Sequence, residues 1–243
     1  MERRFACTAC GRCCVGRLPL TLADALAHAG RFPLGLVLAP IRQGHKSHAV
    51  TARLGTEIRL PDRRRVAVRI MPSAWIPPAM ACPALGPDGL CAIHDAKPSR
   101  CRAMPFLAWR DEADQAELLI PRPGWSCDVS ATAPVVYRDK KILDRAGFDA
   151  ERADLESQAK TLRKAVDTLA ATTPGLVEAL ARGREVLLGF TVLLPWLDGA
   201  DKAALAAAQL EVLGDIVARA DGEFQAKYRE WIADWERVLR RLG

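Results

Sequence analysis

Eight cysteines are the residues of this 243-residue chain that are best suited to chemistry. Four of them are crowded into the stretch Cys7-Thr-Ala-Cys10-Gly-Arg-Cys13-Cys14. Closely spaced thiols are typical of metal sites, because little chain entropy is lost when neighbouring ligands converge on one ion. No apolar segment precedes Cys7, so we expect a cytoplasmic protein whose thiols stay reduced. The sequence thus predicts a metal-binding cysteine cluster with these ligands: Cys7, Cys10, Cys13, Cys14, Cys82, Cys91, Cys101 and Cys127.

The spacing within the first group raises the question of how its thiols are shared. If the segment were helical, Cys7, Cys10 and Cys14 would lie on one face, and Cys13 would point about 100° away from Cys14. Adjacent cysteines rarely reach the same ion, so Cys13 and Cys14 either serve two centres or only one of them is a ligand. Because Cys13 points off that face and Cys127 is remote in sequence, we expect Cys10→Ser to lower metal content more than Cys13→Ser or Cys127→Ser.

All-thiolate ligation suits either a zinc ion or an iron–sulfur cluster, and the residues alone leave both open. The repeated Cys-x-x-Cys spacing slightly favours iron–sulfur. His94, three residues after Cys91, is the one histidine with ligand spacing, but eight sulfurs already suffice for two four-coordinate sites. No nucleophile elbow, P-loop or HExxH motif is present, so no catalytic residue is identified.

The later cysteines lie in recognisable surroundings. Cys82 is followed by Pro83 and Leu85, Cys91 by Ile93, and Cys101 stands between Pro98 and Pro105. Together with the first group and Cys127, this pattern closely resembles the CxxCxxCC, or YkgJ-like, cysteine-cluster family over residues 5–128. That resemblance implies zinc or iron chelation.

Two residues depart from the family's usual pattern: His94 stands in place of a tyrosine and Lys97 in place of an arginine. The flagellin lysine N-methylases resemble the same family, and this implies a metal-dependent enzyme as an alternative function. The resemblance says nothing about the C-terminal part of the chain.

Charge is distributed unevenly. Residues 1–110 hold 17 Lys and Arg against 6 Asp and Glu, whereas the remainder holds 18 against 23. A basic half is typical of proteins that bind nucleic acid, so a metal or redox sensor that binds nucleic acid is a further alternative. Arg12, Arg100 and Arg102 lie beside cysteines, however, where they would donate to thiolate sulfur and lower thiol pKa values. No aromatic residues are interleaved with the basic ones, and we therefore expect nucleic acid not to be the partner.

The elements that must position the cysteines are short and irregular up to about residue 145. Leu20 to Ala29 predicts a helix capped by Thr21 with Asp24 in its first turn. Alternation of apolar and polar residues predicts strands at His45–Arg53, Glu57–Leu60 and Arg65–Ile70, the last two separated by a turn at Pro61–Asp62, and another at Glu117–Pro121.

The second part of the chain is rich in Ala, Leu, Glu and Arg, and its spacing predicts four helices at 150–171, 174–194, 201–220 and 222–241. The apolar run from Val186 to Leu197 is interpreted as a buried helix that Pro195 ends, too short to span a membrane. An aromatic stripe on the last helix (Phe224, Tyr228, Trp231 and Trp235) predicts core packing.

These patterns predict an α+β fold in two domains. A small, irregular, cysteine-rich domain with short strands would occupy residues 1–145, and an antiparallel helical hairpin or bundle would occupy residues 146–243. The helices offer a surface for a protein partner or for self-association.

Overall fold

The computed structural model describes residues 1–60 and 63–243, and it combines helices and strands. The strands are β1 Glu2–Arg4, β2 Leu18–Pro19, β3 Leu34–Ile41, β4 Thr56–Arg59, β5 Arg65–Ala74, β6 Val135–Arg138, β7 Lys141–Ile142 and β8 Val186–Gly189. The α-helices are α1 Leu22–Ala27, α2 His48–Leu54, α3 Ser99–Arg102, α4 Ala146–Thr172, α5 Leu176–Ala181, α6 Lys202–Val217 and α7 Gly222–Leu242.

The larger sheet is antiparallel and has the order β2-β5-β3-β8, with β4 also paired to β5. Its longest pairing joins β3 to β5, from Leu34 opposite Ala74 to Ile41 opposite Ala67. On the other side of β3, Gly35 lies opposite Gly189 of β8. The sheet therefore draws on the first and the last third of the chain.

Both faces of this sheet are buried, which explains why β3 is apolar throughout. Leu36 and Leu38 contact the main core, formed with helices α4 to α7, whereas Val37 and Ala39 face a second core. Successive side chains of a strand point to opposite faces, so an uninterrupted apolar sequence is what a doubly covered strand requires.

The aromatic stripe of α7 lies in the main core, which confirms its predicted role. Tyr228, Trp231 and Trp235 are fully buried, and Phe224 stacks on Trp75 at the end of β5, with ring centroids 5.7 Å apart. The indole of Trp231 packs directly on Gly35, where a Cβ atom would lie only 2.6 Å from the ring. The sheet thus depends on this glycine to let α7 approach.

Several predicted elements are confirmed. Helix α1 is capped by Thr21 in a capping box with Asp24, and α4, α6 and α7 lie close to the predicted ranges. Strands β4 and β5 match the predicted strands that begin at Glu57 and Arg65, and β5 is longer than expected. The predicted turn at Pro61–Asp62 lies outside the described residues.

Three predicted elements are wrong. The segment predicted as a strand at His45–Arg53 contains helix α2, because Val50 and Leu54 are buried at helical spacing. Glu117–Pro121 begins in a 3₁₀-helix at Ala116–Leu119 instead of a strand. The predicted helix at 174–194 is divided into α5, strand β8 and a 3₁₀-helix at Phe190–Trp196, because Val186–Gly189 pairs with β3.

A smaller sheet, β1-β6-β7, joins the N-terminus to residues just before α4. Tyr137 of β6 and Phe148 of α4 are buried beside it in the second core. The larger sheet and the main core draw on both sides of the predicted boundary between residues 145 and 146, and the division into two domains stays a prediction. Within the described ranges, every helix is too short or too polar to cross a membrane.

Candidate metal centre

The N-terminal cysteines are carried by an extended segment that follows β1. Ala6 and Asp128 form an isolated antiparallel bridge with two backbone hydrogen bonds of 2.8 and 3.0 Å. The Thr8 hydroxyl donates to the Ser126 carbonyl at 3.0 Å, which continues the same alignment. Cys7 therefore lies opposite Cys127, although 119 residues separate them in the sequence.

The chain then turns rather than forming a helix, so the helical arrangement considered from the sequence is wrong for residues 7–14. Ala9 and Gly11 have positive φ angles of 54° and 67°, and the Cys14 amide donates to the Gly11 carbonyl at 2.9 Å. This turn directs Cys10 towards Ser126 and sends Cys14 towards a different part of the chain.

Cys14 lies beside Cys82, because the Cys82 amide donates to the Cys14 carbonyl at 2.8 Å and Val15 bridges Ala81. A tight reversal through Gly86 then places Cys91 opposite Leu85. The reversal brings Cys91 back towards the segment that carries Cys82.

Cys101 lies in the short helix α3, which α1 and α4 hold in place. The amide of Ser99 donates to the Asp24 carboxylate at 3.0 Å, and its hydroxyl donates to Asp154 of α4 at 2.6 Å. The neighbouring Arg100 is buried in an ion pair with Glu151 of α4 at 2.8 Å. A helix of the second predicted domain therefore positions a cysteine of the first.

The thiols interact electrostatically in two groups. Cys127 interacts electrostatically with Cys10 and Cys7, and we call these three residues the Cys7 group. Cys14 interacts electrostatically with Cys82, Cys101 and Cys91, and we call these four residues the Cys14 group. Cys13 interacts with members of both groups.

A hydrogen bond joins the side chains of Cys13 and Cys14. The Cys13 thiol donates to the Cys14 sulfur, which raises the pKa of Cys13 far above its usual range and lowers that of Cys14. Each shift follows from the same hydrogen bond, since it stabilises a neutral thiol at Cys13 and a thiolate at Cys14.

The pKa values of the other cysteines are changed by burial and by backbone N–H donors. The N–H groups of Arg12 and Ser126 lower the pKa of Cys10. Burial raises the pKa of Cys82 and Cys127, and it raises the pKa of Cys101 to about 12. A cation is therefore needed to hold several of these sulfurs as thiolates at neutral pH.

The arginines expected to donate to sulfur are placed otherwise. Arg100 donates to Glu151 and to the Phe106 carbonyl, and Arg102 donates to the Lys97 carbonyl at 2.8 Å. Arg12 acts on Cys10 through its backbone amide. Arg100 retains one expected effect, because its charge lowers the pKa of Cys101 against the larger effect of burial.

All eight cysteines are free, and three of them (Cys7, Cys10 and Cys13) are exposed. Within residues 1–60 and 63–243, no three His, Cys, Asp or Glu side chains are close enough to hold a metal ion as they stand. To bind one, the sulfurs of a group would turn towards a common point, which a cysteine achieves by changing its χ1 rotamer. The donor set itself fits zinc or iron, since both accept thiolate ligands.

Sequence reasoning missed the residues that support the cysteines from a distance. Glu151, Asp154 and Ser126 carry no motif, and each acts on a residue more than 50 positions away or through its backbone. His94, in contrast, is exposed and lies 3.5 Å from Asp95.

A cavity of about 230 Å³ adjoins the Cys7 group. Its wall includes Cys7, Arg102 and Asp144, together with the rings of Phe5 and Phe148. A small molecule bound there would lie beside the Cys7 thiol, with the cationic Arg102 and the anionic Asp144 in the same wall.

Comparison with known proteins agrees with this chemistry. Residues 6–120 match the model of the family CxxCxxCC, described as "Putative zinc- or iron-chelating domain", and this confirms the resemblance expected from the sequence. No curated protein shows significant similarity to the chain. No solved structure does either.

Proposed function

We propose, from the CxxCxxCC domain at residues 6–120, that this chain is a cytoplasmic metal-binding protein whose thiols hold zinc or an iron–sulfur cluster. The observation that carries the proposal is the backbone pairing that brings cysteines from distant parts of the sequence next to one another. Cys7 lies across from Cys127, and Cys14 lies beside Cys82. Cysteines at such separations are brought together only by the fold.

The metal would organise the loops that carry its ligands. Residues 7–17 and 77–98 contain no α-helix and little pairing beyond isolated bridges. Such segments bury too little apolar surface to offset the entropy of ordering, and metal binding supplies the missing free energy. The thiolates supply charge and geometry, and the bound metal supplies the cross-link.

Anaerobic purification followed by elemental analysis and a visible absorption spectrum tests the proposal. We expect bound zinc without colour, or iron with sulfide and the broad visible absorption of an iron–sulfur cluster. We favour iron–sulfur slightly, because of the repeated Cys-x-x-Cys spacing. Protein that is reduced, folded and free of metal, and that takes up neither zinc nor iron on addition, would overturn the proposal.

The cavity beside Cys7 favours one alternative, a metal-dependent enzyme of the kind that methylates lysine. Its aromatic rings suit an alkyl chain, and Asp144 suits a cationic amine. Incubating the metal-loaded protein with methyl-labelled S-adenosylmethionine and a lysine-containing peptide tests this alternative. Label transfer that Asp144→Asn reduces supports it, whereas no transfer by protein with full metal content counts against it.

A further protein partner would contact the outer surface of the C-terminal helices. The aromatic stripe of α7 is already buried in the core, so such a partner would contact the polar side of α7, which includes the exposed Arg240 and Arg241. Sedimentation analysis would show whether the chain associates with itself.

A further inference from the structure

We infer that the eight cysteines form two separate four-sulfur centres, and that the adjacent residues Cys13 and Cys14 belong to different ones. The Cys14 group forms one centre, and the Cys7 group completed by Cys13 forms the other. This inference rests on the proposed metal binding and extends it by assigning each thiol to a centre.

Backbone pairing holds the Cys7 group together. The Ala6–Asp128 bridge exchanges both of its hydrogen bonds, so the next pair along, Cys7 and Cys127, is of the closer, non-hydrogen-bonded kind. Side chains in such a pair point to the same side, with Cβ atoms about 4.5–5.5 Å apart. Cys10 joins this pair because its sulfur accepts from the Ser126 amide, one residue before Cys127.

The Cys14 group is held by a second, independent set of backbone contacts. The carbonyl of Cys14 accepts from the Cys82 amide, and Leu85 links the Cys82 turn to Cys91 through a hydrogen bond and a bridge. Cys101 lies in α3, and its thiol interacts electrostatically with Cys82 and Cys91. No part of this set involves residues 126–128.

The Cys14 group already contains the four sulfurs that a tetrahedral site takes, whereas the Cys7 group contains three. Cys13 is the remaining thiol, and the Cys7 group is the one that lacks a fourth sulfur. Two adjacent thiolates are held apart most favourably when each faces its own cation.

The matched pair Cys13→Ser and Cys14→Ser tests the assignment, since the two substitutions are chemically identical and one residue apart. Metal content and thiolate-to-cobalt absorption, after loading with Co²⁺, are measured in the full-length protein. Cys127→Ser serves as the background in which the Cys7 centre is already removed, and His94→Ala is the control outside both groups.

We expect Cys127→Ser to remove the metal of one centre and to leave the other centre loaded. If the two centres are alike, the metal content and the cobalt absorption then fall by half. Adding Cys13→Ser to that background should cause no further loss, whereas adding Cys14→Ser should remove the remaining metal. Cys13→Ser alone should match Cys127→Ser. Cys127→Ser is therefore expected to be as damaging as Cys10→Ser, in contrast to the expectation from sequence separation.

Further loss on adding Cys13→Ser to Cys127→Ser would overturn the assignment, and so would complete loss in Cys127→Ser alone. Both of these measurements use only the Cys127→Ser protein and its double variant with Cys13→Ser, so neither requires the Cys14→Ser protein to fold. Wild-type protein that binds no metal would instead overturn the proposed function, so the two failures are distinguishable.

Discussion

The guanidinium of Arg100 donates to the carboxylate of Glu151 at 2.8 Å, and both side chains are buried. Arg100 directly precedes Cys101, and Glu151 belongs to α4, a helix outside the family match. The pair fixes α3 against α4, and with it the direction from which Cys101 approaches its neighbours. The position of one cysteine thus depends on a buried charge contributed by the second half of the chain.

Glu151→Gln should destabilise the protein by about 3–5 kcal/mol, because Arg100 would keep its buried charge without a counter-charge. Thermal and urea unfolding measure the change. The matched control is Asp149→Asn on the same helix, which removes an exposed partner of Arg145 and should cost less than about 1 kcal/mol. Equal effects of the two substitutions would show that the buried pair has no special importance.

Gly35→Ala should destabilise the protein by about 1–3 kcal/mol, because the new methyl group would overlap the Trp231 ring. Gly214→Ala in α6 is the control: nothing lies within 4 Å of its added Cβ, so a gain of about 0.5–1 kcal/mol is expected from helix propensity. Free energies of unfolding from urea titration would reveal whether the signs differ as expected.

Metal affinity should rise with pH. Burial raises the pKa of Cys101 to about 12, and the pKa of Cys82 and Cys127 is also raised, so these thiols are protonated near neutrality. Binding must displace those protons, and raising the pH lowers the free energy needed to remove them. Calorimetry in buffers of different ionisation enthalpy should report roughly three to four protons released per centre. Affinity that does not change between about pH 6 and 8 would contradict this account.

Removing the metal with a strong chelator should unfold the cysteine loops and spare the C-terminal helices. Trp231 and Trp235 of α7 are buried among aliphatic side chains of the main core, far in sequence from any cysteine. Hydrogen exchange should therefore accelerate in residues 7–17 and 77–98 and stay slow in α6 and α7. Unchanged protection in the loops after complete metal removal would argue against a structural role for the metal.

The long helices could be predicted from the sequence because their own residues determine them. Helix α4 and helix α7 repeat apolar positions at helical spacing, and the Tyr228–Trp235 stripe marks the buried face without knowledge of what it contacts. The eight thiols and their chemistry could also be recognised, since side-chain type and local spacing are visible in the sequence.

What could not be predicted depends on contacts between distant segments. Residues 186–189 form a strand only because β3 offers them an edge, and α2 forms where alternation of apolar residues suggested a strand. The approach of Cys127 to Cys7 likewise follows from the bridge between Ala6 and Asp128. Local patterns carry no information about such pairings.

The pairing of β3 with β8 has a consequence during synthesis. Ile41 leaves the ribosome 145 residues before Val186, the first residue of β8. At about 5–20 residues per second, the edge of β3 that pairs with β8 remains unpaired for roughly 7–30 s. An unpaired apolar strand edge can pair with another chain, so we expect association of nascent chains to be most favourable before β8 has been synthesised.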